Sequence, residues 1–153
     1  MDFQKGTVKR TQGQVKKHIT QCTTQEKEQL NKAKDRVQDL WLKRGIKTSY
    51  HLQDKIRNGE TQFSYLRAME AMIHGEIIEY NERGSDKRVL IRSGVGFVGK
   101  NIDDIVVQCI VVSLLSGKVI TSYLNKASDR HNTLDLRRYD KNLKINLPKS
   151  LTK

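Results

Sequence analysis

The stretch IIEYNERGSDKRVLIRSGVGFVGKNIDDIVVQCIVVSLLSGKVITSYL, residues 77–124, decides the fold. It holds four runs of β-branched and apolar residues, a composition typical of strands, and turn-forming residues separate the runs. The four runs are Ile77 to Tyr80, Val89 to Ile91, Ile105 to Leu115 and Val119 to Leu124. The segment Ser116-Gly117-Lys118 links the last two runs in the manner of a tight hairpin. The stretch therefore predicts a roughly four-stranded antiparallel sheet.

Three helical segments precede this sheet. Thr23 and Glu26 have the spacing of a capping box, and apolar residues then recur at three- and four-residue steps until Gly45. A short helix over about 49–58 and another over about 62–74 are expected to follow. Helices followed by an antiparallel sheet define the α+β class, with the N-terminal helices packed on one face and the other face open to a substrate.

The chain is expected to form one globular domain of 153 residues. Its predicted parts are a basic flexible leader over 1–22, the long amphipathic helix over 23–45, an α+β core over 46–142 and a basic tail over 143–153. The leader has too few apolar residues to offset the entropy lost on ordering. In the last of the three helices, the residues expected to point inward are Leu66, Met69, Met72 and Ile73.

Positive charge dominates the composition. The chain has 29 Lys and Arg against 17 Asp and Glu, a formal net charge of +12. Solubility is one explanation, but an excess of this size in a short chain is more typical of proteins that bind phosphates, with RNA, including tRNA, as the expected partner. No apolar run approaches the roughly 20 residues that cross a bilayer, and the first residues lack a secretory pattern, so a cytoplasmic protein without a membrane partner is expected. No metal-ligand spacing is present, so no metal or other cofactor is expected.

The segment Gly94-Val95-Gly96-Phe97-Val98-Gly99-Lys100 matches the spacing of both a dinucleotide-binding loop and a phosphate-binding P-loop. Either loop needs a helix that starts at once, so that its amide groups and its dipole face the anion. Here Asn101 stands where a P-loop has a Ser or Thr to hold magnesium, and a strand is expected to follow. We therefore interpret the segment as a flexible connection between two strands, with Lys100 available to a nucleic-acid phosphate.

Six residues form the candidate active site of a metal-independent ribonuclease. They are His51, Lys55, Arg92, Thr121, Tyr123 and His131. The first two lie one helical turn apart and share a face, and Thr121 and Tyr123 alternate along their strand and so point to one side of the sheet. Each of His51, Arg92 and Tyr123 also has a structural explanation, as a packing residue, a surface ion pair and a core residue respectively.

Metal-free RNA cleavage needs a base that removes the 2′-OH proton, an acid that protonates the leaving 5′-oxygen, and fixed donors for the charge on phosphorus. His51 and His131 suit the proton steps because an unperturbed histidine has a pKa of about 6.5. Lys55 and Arg92 would stabilise the charge, and the product would be a 2′,3′-cyclic phosphate. Further phosphate contacts are expected from Lys100, Arg137 and Arg138.

The stretches SYHLQDKIRNG, GEIIEYN with RVLIR, and IVVSLLSGKVITSYLNKASDRHNTLD resemble the metal-independent ribonuclease superfamily of barnase, EndoU-type and colicin-type tRNA nucleases and many bacterial polymorphic toxins. The resemblance covers residues 48 to 140 and is close to small phage- and toxin-associated members, in which a histidine-bearing helix precedes a four-stranded antiparallel sheet. It implies that His51 is the helical histidine, that Arg92 ends the second strand, and that Thr121 and Tyr123 are the pair on the last strand. Lys55 stands where an arginine is more usual.

Two alternatives belong to other functional classes. The first is a non-catalytic nucleic-acid-binding protein of a phage or mobile element, which would bind phosphates with its basic leader and tail and lose affinity steeply with salt. The second is an interaction module whose basic face binds an acidic partner, such as an inhibitor or immunity protein. A toxin-like ribonuclease would need such an inhibitor as well.

Overall fold

The computed structural model describes residues 14–99, 104–129 and 135–153. Within these residues, three α-helices and six β-strands form an α+β fold with the helices before most of the sheet, which confirms the predicted class. The helices are α1 (Thr24–Arg44), α2 (Tyr50–Arg57) and α3 (Tyr65–His74). The strands are β1 (Gln14–His18), β2 (Lys47–Thr48), β3 (Glu76–Arg83), β4 (Asp86–Val98), β5 (Ile105–Ser113) and β6 (Lys118–Lys126).

Six strands form one sheet across the described residues, in the order β1-β3-β4-β5-β6-β2, so the expectation of four strands is wrong. Neighbouring strands are antiparallel, except that β2 runs parallel to β6. The four central strands are those predicted from residues 77–124. The two additional strands lie at the edges, where a segment without an apolar run can add itself through backbone hydrogen bonds alone.

Two segments expected to be flexible are strands instead. Residues Gln14–His18, placed by their composition in a flexible leader, form β1 and pair with β3. Gly94 to Val98, expected to connect two strands, continue β4, and the pairing of β4 with β5 is interrupted only between Arg92 and Gly96. Gly96 allows close approach of the neighbouring strand, since a Cβ at this position would lie 2.8 Å from the Ile105 side chain.

The two faces of the sheet differ. We call one the helical face, because its apolar side chains pack against residues of α1, α2 and α3. Its buried strand residues are Ile77, Tyr80, Val89, Ile91, Ile110, Val112 and Val119. We call the other the open face, because no helix of the described chain contributes a buried residue to its apolar cluster. This smaller cluster consists of Ile78, Leu90, Val107 and Cys109, and these residues are themselves buried.

Helix α1 begins at the predicted capping box and ends at the predicted glycine. The Thr23 side chain accepts a hydrogen bond from Glu26 N, and the Glu26 carboxylate accepts one from Thr23 N. Gly45 follows the helix with φ of 84°, a conformation that favours glycine. Toward that end, Trp41 Nε1 donates to Gly117 O at 2.7 Å and joins the helix to the β5–β6 turn.

Helix α3 packs against the sheet through small residues. The prediction that Leu66, Met69, Met72 and Ile73 all point inward is therefore wrong in part. Met72 is buried, but Leu66 is 69% exposed and Ile73 is 40% exposed. Ala68 and Ala71 are fully buried in their place. Two alanines let the helix backbone lie close to β4 and β5, and this close approach turns the larger residues outward.

The predicted basic tail belongs partly to the core. Ile145, Leu147 and Leu151 are buried and pack with the helices on the helical face. Gln29 of α1 holds this segment by its side-chain amide, which donates to Ile145 O and accepts from Leu147 N. The segment therefore closes one side of the helical core, although its lysines face water.

A buried ion pair connects three distant segments. Lys17 of β1 donates from Nζ to Glu26 Oε1 at 2.8 Å and to Leu143 O at 2.7 Å. The other carboxylate oxygen of Glu26 accepts from Ile145 N. Burial alone would raise the pKa of Glu26, but the hydrogen bonds from Ile145 N, Lys17 and Thr23 N together lower it below its ordinary value. The carboxylate is therefore stabilised in its charged form.

We expect Glu26→Gln to lower the free energy of unfolding at neutral pH by about 3–5 kcal/mol, because Lys17 would remain buried without a counter-charge. The stabilisation in the wild type requires the ionised carboxylate, so it is complete above the unfolded pKa of about 4.3 and is lost as the pH falls through the lower folded pKa. Urea unfolding at neutral and acidic pH measures both effects. Glu28→Gln, an exposed carboxylate on the same helix, is the control and should change stability by less than about 0.5 kcal/mol. Equal stability of Glu26→Gln and wild type at neutral pH would contradict this account.

Candidate functional site

Three of the predicted site residues lie together on the open face. Arg92 in β4 is directly opposite Cys109 in β5, and Cys109 is directly opposite Tyr123 in β6. Thr121 is paired in the same way with Val111, which packs against the open-face apolar cluster. Directly paired residues project from the same side of a sheet, so these strands bring the two hydroxyls and the guanidinium onto one surface.

His51 and Lys55 lie on α2, which belongs to the other side of the sheet. The helix packs through Leu52 and Ile56 into the helical-face core. His51 is exposed to solvent and Lys55 is half-buried. The structure therefore does not bring these two residues onto the surface that holds Arg92 and the two hydroxyls.

The structure places two of the four remaining predicted residues. Lys100 and His131 lie outside the described residues. Arg137 and Arg138 form part of a short 3-10 helix, Leu136–Arg138, and both are exposed. Arg137 pairs with the Asp135 carboxylate at 2.9 Å, and its hydrogen bonds lower the pKa of Asp135. Arg137 therefore already has a counter-charge, which a phosphate would have to replace.

Arg92 holds the chain that follows β6. It lies within β4 rather than at the end of the strand. Its Nη2 points at three backbone oxygens, those of Lys126 at 3.2 Å, Ala127 at 3.3 Å and Asp129 at 2.6 Å. Arg92 Nη2 therefore already donates to backbone carbonyls, and a scissile phosphate would have to compete with them for this donor. Arg92 thus positions the loop at the rim of the open face.

The open face also carries a charged cluster that sequence reasoning missed. Glu79 of β3 accepts a hydrogen bond from the Tyr139 hydroxyl at 2.7 Å, and Lys16 Nζ of β1 lies 3.4 Å from its other oxygen. The His18 ring meets the Tyr139 ring edge-on, with centroids 5.3 Å apart. We use the name open-face cluster for Lys16, His18, Glu79, Arg92, Tyr123 and Tyr139. Its members come from five separate segments, so no local motif could have revealed it.

Burial raises the pKa of the phenol and thiol groups of this surface. It is the main cause that raises the pKa of Tyr139 and of Tyr123, and the charge of Glu79 adds to it in both. Burial also raises the pKa of the Cys109 thiol to about 11, against the opposing effect of Arg92. At neutral pH these groups are therefore hydrogen-bond donors, and Cys109 is not an activated nucleophile.

Only part of the open-face cluster can be reached from solvent. Tyr123 is 36% exposed, and the Lys16 side chain is 39% exposed. His18, Glu79 and Tyr139 are each less than 10% exposed. A ligand on this face would therefore touch Tyr123 and Lys16 first, whereas Glu79 is buried.

Comparison with protein-family models, with curated proteins and with solved structures found no match. None of the helices in the described residues has the length and apolarity that a membrane crossing requires. Within the same residues, no three His, Cys, Asp or Glu side chains come together as a metal site would require.

We expect Arg92→Met to lower the free energy of unfolding by about 1.5–3 kcal/mol, because the three carbonyls after β6 lose a charged donor. Chemical denaturation of the purified variant measures the change. Arg83→Met is the matched control, since Arg83 is exposed at the end of β3, and it should change stability by less than about 0.5 kcal/mol. If both variants are as stable as the wild type, the Arg92 contacts do not hold the loop.

Proposed function

We propose that the protein binds RNA, with the phosphate backbone as its main target. The observation that carries this proposal is the exposure of the positive charge. Of all lysines and arginines in the described part of the chain, Lys17 and Lys34 alone are buried. The other cations face solvent wholly or in part, and a protein of net charge +12 that displays them attracts polyanions.

In this proposal, some of the RNA phosphates bind to the open face. Thr121 and Tyr123 carry hydroxyl groups, and Lys16 adds an amine whose side chain is 39% exposed and lies 3.4 Å from Glu79, which a phosphate would have to replace. Hydroxyls and amines are the groups with which proteins usually position a nucleic-acid backbone. The choice of RNA over DNA rests on the sequence resemblance to ribonucleases.

Titration of a labelled single-stranded RNA by fluorescence anisotropy tests RNA binding. We expect the logarithm of the binding constant to fall linearly with the logarithm of salt concentration, because each phosphate contact releases about one counterion. Lys16→Gln should reduce the magnitude of that slope by the amount that about one phosphate contact contributes. Lys43→Gln, at the exposed end of α1, is the control outside the open face and should leave the slope closer to that of the wild type. Absence of binding at low salt, or an affinity independent of salt, would refute the proposal.

A metal-independent ribonuclease is a second candidate, favoured by the presence of the Glu79 carboxylate, hydrogen-bonded to the Tyr139 hydroxyl, on the same face as Thr121 and Tyr123. In this proposal the Glu79 carboxylate removes the proton from a 2′-OH, and the resulting oxygen attacks phosphorus. The bond from phosphorus to the 5′-oxygen breaks, and that oxygen takes a proton from an acid, for which His131 stays a candidate. Thr121 and Tyr123 would face the phosphate, and Arg92 would hold the loop after β6 beside them.

Incubation of RNA with the protein in EDTA tests this second candidate. We expect fragments ending in 2′,3′-cyclic phosphate, and we expect Glu79→Gln to slow their formation by about 100-fold or more because the base is lost. The amide oxygen of the substituted side chain can still accept the Tyr139 hydrogen bond, so thermal unfolding checks that the variant remains folded. Glu28→Gln is the control for the loss of a carboxylate. If the RNA stays intact but binds in a salt-sensitive manner, the protein binds RNA without cleaving it. If cleavage is lost in His51→Ala and not in Glu79→Gln, the active site lies on α2.

A further inference from the structure

A groove on the helical side of the sheet has a different chemistry from the open face. It runs between the end of α2, the start of α3 and the far end of β4, and it encloses about 510 Å³. This volume lies in the range of small-molecule sites. Its lining residues include Ile56, Phe63, Arg67, Phe97, Gln108 and Leu124.

Aromatic rings and a guanidinium form the walls. The guanidinium carbon of Arg67 lies 4.1 Å from the centre of the Phe97 ring, an arrangement favoured by the attraction between a cation and a π face. Glu70 fixes Arg67 further, with 3.0 Å between Nη1 and Oε1. Phe63 is held edge-on to Tyr65, with ring centroids 5.0 Å apart. These planar groups are therefore positioned before any ligand arrives.

The floor and the rim suit a polar planar ligand. Gln108 is 1% exposed, and its amide nitrogen donates to Ser122 Oγ, so the amide is fixed in place. Thr61, Gln62 and Ser64 add further polar groups to the lining of the groove. At the rim, Ile56 lines the groove, and its neighbours along α2 are Lys55 and Arg57. Arg57 already pairs with Asp54 at 3.0 Å, so Lys55 is the neighbouring cation that an anionic group of a ligand would meet.

We propose that this groove binds a base of single-stranded RNA, stacked on Phe63 or on the Arg67 and Phe97 pair, with the adjacent phosphate toward Lys55. The inference rests on the proposed RNA-binding function and names the form of RNA recognised. Stacking needs an unpaired base, because a base within a duplex has both faces covered. Stacking on aromatic rings also accepts every base, so it adds affinity without a strong sequence preference. The net charge of +12 complements the phosphates that such a strand carries.

Phe97→Leu tests the groove, because leucine keeps apolar bulk and removes the π face. The probes are a fluorescein-labelled single-stranded RNA and an abasic strand of the same length, measured by anisotropy at one salt concentration. The wild type is expected to bind the RNA more tightly than the abasic strand, and Phe97→Leu to lose roughly 5- to 100-fold of its RNA affinity with little change for the abasic strand. Tyr50→Leu is the matched control, since Tyr50 is 83% exposed on α2 and outside the groove lining.

Phe63→Leu, at another wall, provides a second test in case Phe97→Leu does not fold, which circular dichroism detects. An RNA affinity unchanged in the folded Phe97→Leu and Phe63→Leu variants would overturn the groove site and leave RNA binding in place. An equal loss in Tyr50→Leu would overturn it too, since the effect would then be common to exposed aromatic residues. Failure of the wild type to bind either strand would refute the proposed function itself.

Discussion

The buried carboxylate of Glu26 is the constraint on which the assembly of this fold depends. A charge in that position is tolerated because it accepts hydrogen bonds from Lys17 of β1, from the N-terminus of its own helix and from Ile145 near the end of the chain. Each donor comes from a different segment, and each would lose a charged partner without it. One carboxylate thereby fixes an edge strand, the start of α1 and the C-terminal segment in relation to each other. The apolar core of the helical face forms next to this polar junction.

A second junction shapes the open face. Arg92 extends from the interrupted part of β4 to the backbone beyond β6 and thus determines where the chain runs after the last long strand. Tyr139 then brings the returning chain against Glu79 through a hydrogen bond of 2.7 Å. The polar groups of this face therefore stabilise the fold and also belong to the candidate site. A binding role suits such an arrangement, since the exposed hydroxyls and amines can contact phosphates while the buried partners hold them in place.

In the proposed function, the two surfaces would make different contacts with a single-stranded polyanion. The open face presents hydroxyls and amines, which suit a phosphate backbone, and the groove beside α3 presents aromatic rings and a guanidinium, which suit bases. They lie on opposite sides of the sheet. His51, which the sequence resemblance marks as catalytic, is exposed on α2, on the side of the groove. The resemblance itself stays a prediction, and the proposed ribonuclease activity would depend on which of these surfaces meets the reacting phosphate.

The sequence alone determined the features that local chemistry governs. The capping box at Thr23, the helix end at Gly45 and the four central strands follow from spacing and composition, because hydrogen bonds and periodicity within about 20 residues suffice to specify them. Only the tertiary structure decided the edge strands, the burial of the C-terminal segment, the outward position of Leu66 and the open-face cluster. These features arise between segments far apart in the chain, where backbone edges and ion pairs leave no periodic pattern. A polar segment such as β1 can join a sheet because its partner supplies the missing hydrogen bonds, and such pairings depend on the whole fold.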